Sequence, residues 1–282
     1  MRTLNLKQVE AIPSDCAVLI IAGPTGSFLV DERDKIEAYL REGGRAMFLL
    51  DDAVNPQLNK ILNNWGVNLP PGVIVDVGSS VTTDPRSPII RRADYNQENP
   101  ITRPLDDSFF THATGIQDII ERAPQGLPPN PDELNITLTP LASTSLFSCV
   151  TTDPDSSSCA LEGDLPGPHF IAMVIEALAP VGEAAVQPAP GEEAKKTSII
   201  VFGDSDFASN QFYFALSNSD LFLNSVDWLA QKYDLISIRA KPVAFRQLVI
   251  DQREFDFIRY SSWFLLPTGI VLLAGIAWWR RR

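Results

Sequence analysis

The chain has 282 residues, 45% of them hydrophobic, which is enough apolar material for a globular domain with a buried core. Its formal net charge is −12, and because the last three residues are arginines, the rest of the chain carries −15. This acidic balance excludes nucleic acid as a partner and opposes attachment of the domain to an anionic membrane surface.

Apolar runs and amphipathic segments alternate in the first part of the chain. The runs 15–23, 45–50 and 73–77 predict strands, and the first should be buried on both faces. Helices are predicted between them at 30–42, which ends at a glycine pair, and at 56–65. This order predicts an α/β domain with a parallel, flavodoxin-like sheet and right-handed crossovers.

The pattern loosens after Gly78, although the predicted α/β domain extends over residues 1–238. Residues 79–135 are rich in Thr, Asp, Pro and Asn, and predict an irregular insert with a few short strands. Residues 180–197 are rich in Ala, Pro and Glu, and predict a mobile surface loop. Three further strands and one helix are predicted at 135–141, 169–178, 197–202 and 220–232.

The C-terminal segment predicts a membrane span. From Tyr260 to Trp279 the only ionisable group is the tyrosine phenol. At ~1.5 Å per residue, such a helix spans the roughly 30 Å hydrocarbon core of a bilayer. The rings expected in the headgroup layers are those of Trp263, Trp278 and Trp279. We therefore predict a transmembrane helix at 260–279, preceded by a juxtamembrane segment at 239–259.

The basic tail predicts the orientation of that helix. Arg280, Arg281 and Arg282 should stay in the cytoplasm, which places the α/β domain outside it. Export of such a domain requires a signal, and residues 1–10 contain no apolar signal core. We expect this chain to be the C-terminal part of a longer polypeptide, or to work beside a separately encoded N-terminal half.

Polar residues follow several predicted strands, at the edge where open α/β sheets bind ligands. The candidate binding residues are Thr25, Asp51, Asp52, Asp204, Ser205 and Asp206. Converging carboxylates suit Ca²⁺ or Mg²⁺, but aspartates at such positions also cap helices and fix turns. Because the chain has neither an EF-hand loop nor a phosphate-binding glycine motif, we predict no metal and no cofactor.

Residues 199–205 resemble the first block of GDSL-type esterases, in which the serine is the nucleophile. That family takes its base from a histidine far downstream, whereas His112 and His169 both precede Ser205. A serine without a base is inert. A membrane-anchored exoplasmic hydrolase using Ser205 is therefore the alternative to a non-catalytic role.

Two of the three cysteines predict a disulfide. Cys149 and Cys159 flank nine residues of a polar loop. Outside the cytoplasm they are expected to pair, contributing about 2–3 kcal/mol, with two free thiols as the alternative. Cys16 opens an apolar strand and is interpreted as a small core residue.

Eight segments resemble a known family in chain order: 12–24, 39–45, 49–52, 99–102, 141–145, 203–209, 220–229 and 234–239. They are similar to the GldG-like auxiliary components of bacterial ABC transporters. The resemblance implies a fold like that of class I glutamine amidotransferases and a location in the bacterial inner membrane. It also implies a non-catalytic subunit that works beside an ABC permease, its ATPase and an N-terminal half or companion chain.

This chain departs from those patterns at two points. It lacks the cysteine elbow and the His-x-Glu pair of the amidotransferases, so their activity is not implied. Asn99 stands where family members usually have histidine, so a titratable role at that position is not carried over.

Overall fold

A five-stranded mixed sheet forms the centre of the fold in the computed structural model. The described residues are 2–26, 28–52, 55–81, 84–120, 136–153, 155–159, 163–179, 195–232 and 251–281. Across the sheet, the strands are β1 (Leu19–Ala22), β2 (Arg45–Leu49), β13 (Lys196–Phe202), β12 (Phe170–Leu178) and β9 (Thr137–Ser143). Strand β2 pairs in parallel with β1 and β13, whereas β12 pairs antiparallel with β13 and β9. The predicted parallel sheet is thus correct for three of the five strands.

Helices cover both faces of this sheet because its central strands are apolar on both sides. Along β2, Ala46 and Phe48 face one core cluster and Met47 and Leu49 face the other. The first cluster is closed by α1 (Val30–Arg41) and α2 (Pro56–Asn64), and the second by α3 (Asn218–Leu229). The three predicted helices are therefore confirmed, with ends within three residues of those expected.

Two strand predictions were wrong in detail. Strand β1 lies at the sheet edge, so Leu19 and Ile21 are buried while Ile20 is only half-buried. Strand β4 (Val73–Asp76) was expected to extend the parallel sheet. It instead pairs antiparallel with β10 (Ser148–Thr151), because the third parallel position is taken by β13 from late in the chain.

Short strands organise the predicted irregular insert into small separate sheets. The remaining strands are β3 (Val67–Asn68), β5 (Ser80–Val81), β6 (Asp84–Ile90), β7 (Ser108–Phe109), β8 (Gln117–Asp118) and β11 (Leu165–Pro166). They form the sheets β5–β6–β7 and β3–β8, and β11 joins β10 beside β4. Cys149 of β10 is joined to Cys159 by a disulfide with a Cα–Cα distance of 5.6 Å.

The predicted mobile loop 180–197 extends too far at its C-terminal end, because its last residues belong to a strand. Residues 180–194 lie outside the described residues. Strand β13 begins at Lys196, so the last two residues of the predicted loop belong to the central sheet. The end of the insert, 121–135, also lies outside the described residues, as do residues 233–250, which comprise the last six residues of the predicted α/β domain and the first twelve of the predicted juxtamembrane segment.

The C-terminal residues form one continuous helix. It begins with α4 (Gln252–Tyr260), passes through a wider π-helical turn at Ser261–Leu265, and continues as α5 (Leu266–Arg280). Within the described part of the chain, this helix of 29 residues is the one long and apolar enough to cross a membrane. None of its most apolar stretch is buried against the domain.

Asp76, at the end of β4, is a buried polar centre that connects distant segments. Its carboxylate accepts hydrogen bonds from the backbone N–H groups of Gly78, Ser79 and Ser145, each at 2.9 Å, and from the Ser145 hydroxyl at 2.6 Å. The side chain is fully buried. It therefore fixes the loop after β4 against the turn between β9 and β10.

We predict that Asp76→Ala lowers the free energy of unfolding by about 2–4 kcal/mol, because buried N–H donors lose their acceptor. Chemical unfolding of the detergent-solubilised chain would measure this. Asp153→Ala is the matched control, since Asp153 is exposed and its carboxylate accepts a hydrogen bond from the Asp155 N–H in an exposed loop. Equal losses in the two variants would contradict this role.

Candidate functional site

The first candidate site is the carboxylate turn, defined here as Asp51, Asp204, Ser205 and Asp206. Asp51 follows β2, and the other three follow β13, the neighbouring parallel strand. Ser205 donates from its backbone N–H to Asp51 Oδ1 at 2.7 Å and from its hydroxyl to Oδ2 at 2.9 Å. The structure thus places the ends of β2 and β13 side by side.

Asp204 is completely buried within this turn. Its two carboxylate oxygens accept from the backbone N–H groups of Thr111 at 3.0 Å and Asp206 at 2.7 Å. Burial raises the pKa of Asp204 well above its ordinary value, and the charges of Asp51 and Asp206 add to the effect. Burial also raises the pKa of Asp206, with Asp51 again contributing.

Two glycines allow the backbone to approach closely here. A Cβ on Gly23 would lie 2.7 Å from Ser205 Oγ, and the φ of Gly23 is +49°. A Cβ on Gly203 would lie 2.0 Å from the carbonyl oxygen of Thr114. Any larger residue would thus collide at either position.

The insert covers the carboxyl end of the sheet beside the carboxylate turn. The Thr111 N–H donates to Asp204, the Thr114 N–H donates to the Gly203 carbonyl at 2.6 Å, and the Ile116 N–H donates to the Phe170 carbonyl at 2.7 Å. This is the edge at which open α/β sheets usually hold ligands. In this chain, the segment 111–116 occupies part of that edge.

Among the described residues, the Ser205 hydroxyl is paired with a carboxylate and not with a histidine. This hydroxyl donates to a carboxylate, while His112 Nδ1 faces the Thr111 hydroxyl at 3.2 Å and His169 Nε2 faces the Leu165 carbonyl at 2.9 Å. The serine–histidine pair on which the esterase resemblance depends is therefore not formed within the described residues.

The remaining two candidate binding residues, Thr25 and Asp52, lie outside the hydrogen bonds described for the carboxylate turn. Thr25 is exposed and Asp52 is half-buried. Within the described ranges, no hydrogen bond is recorded from either to the carboxylate turn, and no group of three or more His, Cys, Asp or Glu has a metal-binding arrangement.

The second candidate site is the helix base, defined here as Arg91, Asp107 and Asp251. The Arg91 guanidinium donates to Asp107 Oδ2 at 2.7 Å and to Asp251 Oδ2 at 2.6 Å. Asp251 also caps α4, accepting from the Glu254 N–H at 2.7 Å, and pairs with Val81 in an isolated antiparallel bridge. The helix base therefore ties the start of the apolar helix to the domain.

A cavity of about 250 Å³ lies beside the helix base. Its lining residues come from the loop after β4, the Arg91 region, the turn between β9 and β10, and the start of α4: Val77, Gly78, Ser79, Ser80, Arg91, Asp94, Ser145, Asp251, Gln252 and Arg253. Burial raises the pKa of Asp94, and the charge of Asp76 acts in the same direction. The cavity is thus lined both by residues that hydrogen-bond to Asp76 and by the start of the helix.

Sequence reasoning missed the helix base, although one local signal was present. Asp251 and Glu254 form an N-terminal capping box, in which each side chain accepts from the backbone N–H of the other. That pattern marks a helix start at Gln252 instead of Tyr260. No local signal pairs Arg91 with a residue 160 positions later.

The predicted membrane-anchor residues lie on this helix or directly after it. Trp263, Trp278 and Trp279 are all strongly exposed, and Arg280 ends α5. Arg281 follows the helix, and Arg282 lies outside the described residues. Their contact with lipid stays a prediction.

These features define a mixed α/β domain joined at a fixed point to an apolar C-terminal helix. A family described as "ABC-type uncharacterized transport system" matches residues 1–233, and the chain belongs to this family. The resemblance seen in the sequence is thereby confirmed, and the chain is an auxiliary component of ABC-type transport.

Among solved structures, the chain is similar to the mmIFT52 N-terminal domain. The two share 15% sequence identity with a TM-score of 0.48, and the match covers 76% of this chain and 77% of the other. No curated protein matches the sequence.

We predict a pH-dependent effect of Asp204→Asn on stability. A carboxyl group whose pKa is raised by folding contributes stability that is fully present below its unfolded pKa of about 3.9 and is lost as pH rises through the folded pKa. The variant cannot titrate, and its amide NH₂ would face a backbone N–H donor. The advantage of the unmodified chain over Asp204→Asn should therefore be largest near pH 4 and should shrink toward neutral pH.

Chemical unfolding of both proteins across this pH range tests the prediction. Ser225→Ala is the control, because its buried hydroxyl donates to the Leu221 carbonyl, which does not titrate, and its loss should cost about 1 kcal/mol at every pH. A stability difference for Asp204→Asn that grows with pH would show that the folded pKa is lowered instead.

Proposed function

We propose that this chain is a membrane-anchored, non-catalytic, GldG-like accessory subunit of a bacterial ABC transporter, with its α/β domain on the exoplasmic side. Its partners would be the permease and ATPase subunits and an N-terminal half or companion chain. The observation that carries this proposal is the family match over residues 1–233, which places the domain in ABC-type transport.

Membrane anchoring is supported by the length and exposure of the C-terminal helix. Its 29 residues correspond to about 43 Å at ~1.5 Å per residue, which exceeds the roughly 30 Å hydrocarbon core. The most apolar stretch is unburied, and aromatic side chains lie near both of its ends. The basic C-terminus favours a cytoplasmic end and hence an exoplasmic domain.

The non-catalytic role is supported by the carboxylate turn. Asp51 accepts both donors of Ser205, and the insert lies across the edge where a substrate would enter. The helix base supports a mechanical role, because the Arg91 ion pairs connect the domain to the helix that would enter the membrane.

The topology is tested by a reporter fused after Arg282 in the full exported context. We expect activity from a cytoplasmic reporter only, because the three arginines resist translocation. Replacing Arg280, Arg281 and Arg282 with glutamines is the matched control and should weaken this preference. Activity of an exoplasmic reporter in the unmodified chain would reverse the orientation and contradict the proposal.

The accessory role is tested by purification from detergent after co-expression with the neighbouring ABC permease and ATPase. We expect all subunits to co-purify with the unmodified chain and equally with Ser205→Ala. The hydrolase alternative instead requires ester turnover that disappears in Ser205→Ala. If such turnover is found and the ABC subunits are absent from the purified material, the accessory role is contradicted and the hydrolase alternative is supported.

A further inference from the structure

Two loops with exposed apolar side chains lie near the helix base, where the C-terminal helix leaves the domain. The first carries Leu146 and Phe147, whose side chains are 76% and 69% exposed. The second carries Phe214 and Leu216, which are 48% and 43% exposed. Large apolar side chains grouped in this way mark surfaces that contact another protein or a membrane.

The first loop is fixed beside the helix base. The Phe147 ring packs over Gly78, where a Cβ would lie 3.1 Å from Phe147 Cδ2. Gly78 and Ser145 line the same cavity as the first turn of α4. The Asp76 carboxylate holds both of these segments through backbone N–H donors. Leu146 and Phe147 are therefore presented on a well-ordered turn close to the helix.

The second loop is attached to the same region through different contacts. Ala215 and Phe212 pack in one apolar cluster with Val81, the residue that bridges to Asp251. The Ser217 N–H donates to the carbonyl of Asp107, whose carboxylate binds Arg91. Phe214 and Leu216 thus project from a loop attached to the helix base.

We propose that these two loops rest on the outer surface of the lipid bilayer and fix the orientation of the domain on the membrane. This inference depends on the proposed anchoring, because α5 would bring that bilayer to the same face. The nine residues of α4 raise the helix base about 14 Å above the expected start of the hydrocarbon core. The headgroup layer fills roughly 5–8 Å of this height. The two loops must therefore extend roughly 6–9 Å from the helix base toward the membrane, a distance that an ordinary helix tilt of about 20° shortens on one side of the domain.

The charge of the chain favours apolar contact with lipid over electrostatic attraction. Everything before the final arginines carries −15, and residues 251–260 carry three acidic and two basic side chains. An anionic membrane would therefore repel this face. Contact by Leu and Phe side chains is expected on zwitterionic lipid and should be insensitive to salt.

The full chain in phosphatidylcholine nanodiscs provides the test. Cys16→Ala removes the free thiol, and Leu146→Cys or Phe214→Cys then carries an environment-sensitive fluorophore. Leu178→Cys is the matched control, because Leu178 is 52% exposed at the opposite end of the central sheet, where it pairs with Lys196. We expect a shift to shorter emission wavelength and quenching by headgroup-proximal spin-labelled lipid at positions 146 and 214, and neither effect at 178.

The outcomes separate this inference from the proposed anchoring. Release of the chain from membranes by alkaline washing would overturn the anchoring itself. Retention of the chain with the same emission and quenching at positions 146, 214 and 178 would overturn only the lipid contact. The lipid contact would also be overturned if the emission at position 146 shifts to shorter wavelength only when the permease and ATPase are present. That result would assign this surface to a protein partner.

Discussion

The structure depends on the parallel pairing of two strands that are apolar on both faces, β2 and β13. From Ala46 to Leu49 and from Thr197 to Phe202 every side chain is buried. A strand of this kind is stable only when both faces of the sheet are covered. Helices α1 and α2 cover one face, and α3 with parts of the insert covers the other. The same pairing sets Asp51 beside Ser205, because adjacent parallel strands end at the same edge.

The helices and most of the central strands were predictable because their signals are local. The apolar spacing of α2, its Asn55 cap and Pro56 at its first turn identify that helix without tertiary information. The partner of β4 was not predictable in this way, since an apolar run of four or five residues fits any sheet. Its antiparallel pairing with β10 depends on contacts between residues about 75 positions apart.

The same distinction between local signals and tertiary contacts explains which parts of the candidate sites were predictable. The strand-end rule brought together Asp51, Asp204 and Ser205, but it also included Thr25 and Asp52, whose side chains point to no common partner in the described network. The rule cannot foresee that an insert from residues 111–116 would donate to Asp204 and cross the sheet edge. The helix base was missed because Arg91, Asp107 and Asp251 converge only through tertiary contacts.

The two candidate sites differ in what their polar groups connect. This difference favours the helix base over the carboxylate turn as the functional site. In the carboxylate turn, acceptors and donors satisfy one another inside the domain, and Asp204 is closed off from water. At the helix base, one guanidinium holds two carboxylates, one from the domain and one from the helix cap. Ion pairs that are partly removed from water often add little net stability, because desolvation offsets the attraction between the charges. If the helix spans a membrane as proposed, the helix base would hold it at a fixed position on the domain, so that a displacement of the helix would be transmitted to the domain.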